Sequence, residues 1–209
     1  METKFNEKES LALISEMIEL ARNNFQKGSG NSMIFWGWFV ALTAIMNVVL
    51  ALVLENPYYS FNIWWIMILG QIVDSFIIRK KDVESAIVKT HIDRIIAAIW
   101  RGFLISIIVL LIVIFGFAYG TQNPKIFILI NPCIMIMIGL SEFITAKTCR
   151  FKPYFYGAII MWIGAVSCFI ISLITSNIVI YQFLILAVCM IVGFVIPGYS
   201  LNKLSKKDV

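Results

Sequence analysis

The sequence has a single histidine and few residues of the kinds that catalytic sites require. Because His91 is the only histidine, neither bis-histidine haem ligation nor a zinc hydrolase site with paired histidines can form within one chain. A glycine-rich phosphate loop, a G-x-S-x-G motif and paired aspartates at the centre of an apolar run are also absent. A serine or cysteine nucleophile would have no base other than His91. We therefore expect no enzymatic activity, no metal site and no cofactor.

Charged residues are scarce as well, at 14% of the chain, while hydrophobic residues make up 60% and the mean hydropathy is +0.90. Soluble domains contain about 25% charged residues. The apolar residues are grouped into six runs of about 18 to 24 residues, each long enough to cross a bilayer as a helix. These runs cover residues 33–54, 61–78, 102–119, 126–146, 154–175 and 178–201.

The pattern within these runs selects helices over a β-barrel. A membrane barrel requires strands of about ten residues in which apolar and polar side chains alternate, whereas these runs are apolar on all sides. The sequence therefore predicts an all-α fold, a polytopic membrane bundle of six transmembrane helices arranged as three hairpins. Residues 33–201 form this domain, and no second domain is expected.

The basic residues predict the orientation of the chain. Of the 17 lysines and arginines, all except Lys125 lie in the N-terminal arm, in residues 79–101, in residues 147–152 or in the tail at 202–209. These segments fall on one side if the six runs span in alternating directions. By the positive-inside rule both termini are cytoplasmic, and the excess of basic residues is explained by the lipid bilayer without nucleic-acid binding.

Residues 1–32 lie outside the bilayer in this scheme and include an amphipathic segment at 7–27. Asn6 and Glu9 have capping-box spacing, and Gly28 is a typical residue after a helix end. The sequence predicts a helix of about 20 residues followed by a linker. Its apolar stripe can lie in the headgroup layer, pack against the bundle or bind a cytoplasmic protein partner. Because the helix is also acidic, we favour packing on protein. A second cytoplasmic helix is expected over residues 82–101, continuing into the third span.

Two acids lie near the cytoplasmic ends of spans, Asp74 in the second and Glu142 in the fourth. A weak internal repeat aligns them, since Asp74 follows Gly70 and Glu142 follows Gly139 at nearly equal distances. Short outer loops in any six-helix protein would give similar turn spacing, so a true duplication is one of two explanations. Each acid precedes a basic residue by five positions, which places it about 7 Å below the positive layer.

These acids have a structural and a functional interpretation. Arg101 is expected at a similar depth, where it can bridge both carboxylates and form a polar layer between the hairpins. Alternatively, the acids bind a proton or a cation at the cytoplasmic mouth of a path, because ionisable residues within a membrane are often functional. The sequence favours the structural interpretation and does not exclude the other.

Further polar residues lie deeper in the predicted spans. Asn131 and Pro132 fall inside the fourth helix, where proline removes a hydrogen-bond donor, so a kink is expected there. Broken helices of this kind hold ions in transporters, although such kinks are also common in purely structural helices. Asn47 and Gln71 are candidates for hydrogen bonds between helices, as are Ser106, Ser167, Ser172 and Gln182. The predicted intramembrane polar site comprises Asp74, Glu142, Arg101, Asn131, Gln71 and Asn47.

Four segments together resemble an uncharacterised family of small six-helix bacterial inner-membrane proteins. They are "ESLALISEMIELARNNFQ", "FWGWFVAL", "VKTHIDRIIAAIW" and "VIPGYSL", and the resemblance covers nearly the whole chain. It implies location in the bacterial inner membrane. Members of such a family can be encoded beside a winged-helix transcriptional regulator, which implies a regulated role. The resemblance assigns no binding or catalytic residues.

Two functions are compatible with the sequence. The first is a small transport or permeation module, with the acids and Arg101 near the inner mouth and Asn131 midway. The second is a non-transporting scaffold, sensor or regulatory partner that acts through residues 7–27 and 82–98. Polar residues that line a connected cavity would favour the first, and polar residues that bond to one another would favour the second. A homo-oligomer with a pore on its symmetry axis is compatible with either.

Overall fold

The structure is a computed structural model that describes residues 7–78 and 91–205. Every regular element within these two ranges is a helix, so the predicted all-α class is confirmed. Residues 1–6, 79–90 and 206–209 lie outside the description. Expectations that depend on them, including the start of the helix predicted at 82–101 and the end of the tail at 202–209, therefore stay predictions.

The first helix, α1, runs from Glu7 to Val53 without interruption, over 47 residues. The expected helix end at Gly28 is therefore wrong. Two residues further on, Gly30 has a packing role, since a Cβ atom there would contact Asn202 and would lie 2.9 Å from the backbone oxygen of Gly198. Of the N-terminal apolar stripe, the structure describes the side chain of Leu11, which is 64% exposed.

The second apolar run forms three consecutive helical types. A 3₁₀ helix covers Pro57–Trp65, helix α2 covers Ile66–Val73, and a π helix covers Asp74–Ile78. Ser60 contacts Asn47, and Asp74 contacts Ser32. The segment therefore runs antiparallel to α1 over residues 32 to 47, a length of about 22 Å at the helical rise.

The remaining helices follow in chain order, and the last three elements form one continuous helical segment. Helix α3 is followed by a 3₁₀ helix, then by α4, α5 and α6, a π helix and α7. Their bounds are His91–Gly120 for α3, Pro124–Leu129 for the 3₁₀ helix, Ile130–Cys149 for α4, Lys152–Ile174 for α5, Ile178–Met190 for α6, Ile191–Val195 for the π helix and Ile196–Ser205 for α7.

Among the described residues, five helices are long and apolar enough to cross a membrane. They are Gly30–Val53, Ile92–Gly120, Pro124–Cys149, Lys152–Ile174 and Ile178–Lys203. The chain is thus an integral membrane protein. The run predicted at 61–78 is not among the five, since its α-helical part is only 8 residues long.

The packing is that of a protein in lipid, with small and flexible residues inside and large apolar residues outside. Met135, Met161 and Ala158 are fully buried, while Ile112 on α3 is 67% exposed. Small residues allow helix backbones to approach closely in a bilayer, where there is no hydrophobic driving force between helices. Helix α3 is peripheral, because only 11% of its most apolar window is buried. In the N-terminal part of α3, Trp100 packs against Phe194.

Candidate functional site

Glu142 is buried inside the helix bundle. It lies on the face of α4 that also buries Ile138, Thr145 and Ala146, at spacings of three to four residues, so the helix directs it inward. Only 1% of the residue is exposed. Neither carboxyl oxygen has a hydrogen-bond partner in the described part of the chain. A buried carboxyl group without a hydrogen-bond partner is uncommon, because most buried polar groups make at least one hydrogen bond.

Gly157 of α5 lies against this carboxyl group and also against Gly193. A Cβ atom on Gly157 of α5 would stand 3.1 Å from both carboxyl oxygens of Glu142 and 2.5 Å from the backbone oxygen of Gly193. Gly193 lies within the π-helical turn Ile191–Val195. Such turns are rare and occur frequently at functional sites. Three elements therefore meet at Gly157, where the absence of a side chain lets α5 approach both Glu142 and Gly193.

Asp74 is also fully buried but is hydrogen-bonded. The hydroxyl of Ser32 on α1 donates to its Oδ1 over 2.6 Å. Asp74 is the first residue of the π helix that follows α2. The two acids thus lie in different packing environments, Asp74 against α1, and Glu142 against α5 and the last helical segment.

Arg101 does not connect the two acids. Its side chain is exposed, and its Nε donates to the backbone oxygen of Ala97 in the same helix over 3.1 Å. The expectation that Arg101 bridges the carboxylates is therefore wrong. The physical reason is the peripheral position of α3, which leaves this turn of the helix facing outward.

The deeper polar residues form hydrogen bonds between different helical elements. The side-chain amide of Asn47 donates to the backbone oxygen of Ser60 over 3.0 Å, and the Ser60 hydroxyl donates to Asn47 Oδ1 over 3.2 Å. Asn131 donates to the backbone oxygen of Gln182 over 2.9 Å. Asn47 thus links helices as the sequence predicted, and Asn131 links helices although the sequence did not single it out for such a bond.

Pro132 lies in the first turn of α4, which directly follows the 3₁₀ helix Pro124–Leu129. The chain changes from 3₁₀ to α geometry at Ile130. In the first turn of an α-helix the missing N–H of proline removes no intrahelical bond. The change of helical type thus falls two residues before Pro132, close to the position at which the sequence predicted a kink.

Several other predicted interhelical bonds are local. Gln71 is half-buried and donates to Ser75, one turn further along. Ser167 and Ser172 donate to backbone oxygens of their own helix. Sequence reasoning did not foresee this, because serine satisfies its hydroxyl within a helix whenever no partner is opposite.

Two pockets stand out in the described part of the chain. One, of about 350 Å³, is an apolar groove between α5 and α6 that includes Gly164 and Val188. The other, of about 400 Å³, lies at the turn between α4 and α5 and is lined by Lys147, Arg150 and Lys152 among others. None of the six residues of the predicted polar site lines either pocket. The sequence indicated that these basic residues share a loop, but it did not indicate a pocket.

Comparison of the chain with protein-family models, with curated proteins and with solved structures gave no match. The function must therefore be argued from the residues themselves.

Proposed function

We propose that this integral membrane protein is a small transport or permeation module in which Glu142 binds a proton or a monovalent cation. The observation that carries the proposal is that Glu142 is 1% exposed and that both its oxygens lack a partner among the described residues. The other proposed polar residues serve the helix contacts around it.

The surroundings of the Glu142 carboxyl group determine what it can bind. Holding an isolated ionised carboxylate away from water costs a large free energy. Binding a proton or a cation removes that cost. Arg101 is exposed and bonded within its own helix, so it does not supply the compensating charge. A bound proton or cation does so.

The glycine contacts suggest how the acid can be reached. Gly193 belongs to a π-helical turn, in which one residue is inserted relative to the α-helix. A return of this turn to α geometry shifts Gly193 relative to Gly157 and opens the contact beside Glu142. We propose this rearrangement as the step that exchanges the bound ion.

We further propose a topology of six spans with both termini in the cytoplasm of a bacterial cell. The segment from Pro57 to Ile78 is helical throughout and runs antiparallel to the membrane-spanning part of α1. An antiparallel path of about 22 Å crosses most of the hydrocarbon core, which is about 30 Å thick. This arrangement agrees with the positive-inside distribution of basic residues.

A second candidate, a non-transporting scaffold, sensor or regulatory partner, is favoured by the closed polar pairs. Ser32 bonds Asp74, Asn47 bonds Ser60, and Asn131 bonds the backbone of Gln182. These pairs do not line either of the two pockets. In this interpretation Glu142 is neutralised by a proton that remains bound, and α1 before Gly30 engages the partner.

Flux measurements on the full chain in liposomes separate the two candidates. Vesicles loaded with a pH-sensitive dye are given a proton gradient, and in parallel experiments a sodium or potassium gradient. The wild type is expected to dissipate one of these gradients faster than empty vesicles do. Glu142→Gln, which retains the shape but cannot ionise, is expected to abolish the effect.

Glu55→Gln is the matched control, because Glu55 is exposed at the outer end of α1 and carries the same functional group. It should transport as the wild type does. Equal rates for wild type, Glu142→Gln and empty vesicles under all three gradients would reject permeation and support the non-transporting role.

A further inference from the structure

We propose that the turn between α4 and α5 binds the phosphate group of an anionic phospholipid in the cytoplasmic leaflet. The pocket there has a volume of about 400 Å³. Its lining includes Lys147, Arg150 and Lys152 and contains no acidic residue. This site is separate from Glu142, and the proposal does not depend on ion transport.

The backbone holds the three cationic residues together. Helix α4 ends at Cys149 and α5 begins at Lys152, so the connection is very short. Arg150 closes α4 in the left-handed conformation, with φ 53° and ψ 35°, which is unusual for a residue with a side chain. The turn therefore places cations from the end of one helix and the start of the next around the same pocket.

Aromatic rings position one of these cations. The ammonium group of Lys147 lies 5.5 Å from the ring centre of Phe143 and 5.3 Å from that of Phe155. Phe155 also lines the pocket. A lysine held between rings by cation–π attraction loses less freedom when it binds a phosphate.

The charge of the site suits a phosphate ester. Lysine and arginine bind phosphate oxygens through charge-assisted hydrogen bonds, and basic pockets at the cytoplasmic ends of spans bind anionic lipid headgroups. The N-terminus of α5 adds positive potential through the helix dipole, and the N-cap residue Phe151 makes no side-chain capping bond. Asp93 of α3 is within electrostatic range of Cys149 but does not line the pocket.

The surrounding surface indicates a lipid rather than a soluble phosphate. On α4, Leu140 and Ile144 are exposed apolar residues on the helical face that ends in Lys147. On α5, exposed Ile163 and Tyr156 lie on the face that begins at Lys152. The basic pocket thus adjoins exposed apolar faces of α4 and α5. One phospholipid can place its phosphate in the pocket and its acyl chains along these faces.

Native mass spectrometry of the full chain in a neutral detergent provides the test, with phosphatidylglycerol, phosphatidylcholine or inorganic phosphate added. The wild type should retain phosphatidylglycerol in preference to phosphatidylcholine. The triple variant Lys147→Gln, Arg150→Gln, Lys152→Gln should bind phosphatidylglycerol at least about tenfold more weakly, since each lysine or arginine near an anionic lipid surface contributes to the free energy of binding. Inorganic phosphate should not displace the lipid.

The matched control is Arg94→Gln, Arg101→Gln, Lys203→Gln, which removes three exposed cations that do not line the pocket. It should bind within about twofold of the wild type, because the lost charges are not at the site. A conservative double variant, Lys147→Arg with Lys152→Arg, should also bind normally. Equal losses in both triple variants, a loss in the conservative variant, or displacement by inorganic phosphate would each overturn the proposal.

A second measurement uses the wild type alone and so is independent of variant folding. Phosphatidylglycerol with a photoactivatable headgroup should crosslink within residues 146–156. Crosslinks confined to other parts of the chain would contradict the proposed site.

Discussion

The backbone oxygen of Gly193 lies 2.5 Å from the position that a Cβ atom on Gly157 would occupy. Two helical segments therefore approach each other through a contact that accepts no side chain. The carboxyl oxygens of Glu142 lie 3.1 Å from the same position, so this close approach also sets the space available to the buried acid.

Gly157→Ala is predicted to destabilise the protein by about 1 to 3 kcal/mol, since an added methyl group overlaps backbone and cannot be accommodated by a rotamer change. Gly102→Ala is the control, because no heavy atom lies within 4 Å of a Cβ atom there. That change should be neutral or stabilising by up to about 1 kcal/mol. Unfolding in mixed detergent micelles measures both. Equal effects of the two substitutions would contradict the contact.

Asn47 and Ser60 should be energetically coupled. In a double-mutant cycle with Asn47→Ala and Ser60→Ala, the coupling free energy is expected to be about 0.6 kcal/mol and at most about 1.7 kcal/mol. Asn47→Ala combined with Ser200→Ala is the control, because the Ser200 hydroxyl donates to the backbone oxygen of Ile196 in its own helix. This pair should be additive within about 0.5 kcal/mol. Additivity of the first pair would show that the Ser60 hydroxyl does not bond Asn47, since Ser60→Ala removes this hydroxyl but keeps the backbone oxygen that accepts from the Asn47 amide.

Asn131→Ala should lower the free energy of unfolding by about 0.6 kcal/mol or more, because it removes a bond between helices and leaves the backbone oxygen of Gln182 without this donor. Ser172→Ala removes a bond within one helix and should have a smaller effect. The same unfolding assay compares them. A larger loss for Ser172→Ala would reverse the expected order.

The six-span topology can be tested by cysteine labelling from outside the cell, after the four free cysteines are replaced by alanine. Glu55→Cys and Gln122→Cys should both react with an impermeant reagent, whereas Lys203→Cys should react only after the membrane is opened. If the segment from Pro57 to Ile78 does not span, residues 55 and 122 lie on opposite sides and only one of them reacts. The labelling pattern thus distinguishes five spans from six.

Much of the fold follows from the chain alone. The long apolar runs demanded helices, because backbone groups in hydrocarbon must bond within their own segment. Of the six residues of the predicted polar site, Asp74, Glu142, Asn47 and Asn131 are buried, whereas Arg101 is exposed and Gln71 is half-buried. The helix end predicted at Gly28 does not form, because an isolated glycine is tolerated inside a helix and α1 continues to Val53.

What these polar residues bond to was decided only by the tertiary structure. Asp74 and Glu142 have similar positions relative to nearby glycines and basic residues, yet Ser32 bonds one and no described residue bonds the other. Local sequence fixes the depth of a side chain in the bilayer. Its partner depends on which helix faces it and at what rotation, and those follow from the packing of glycines and methionines far apart in the chain.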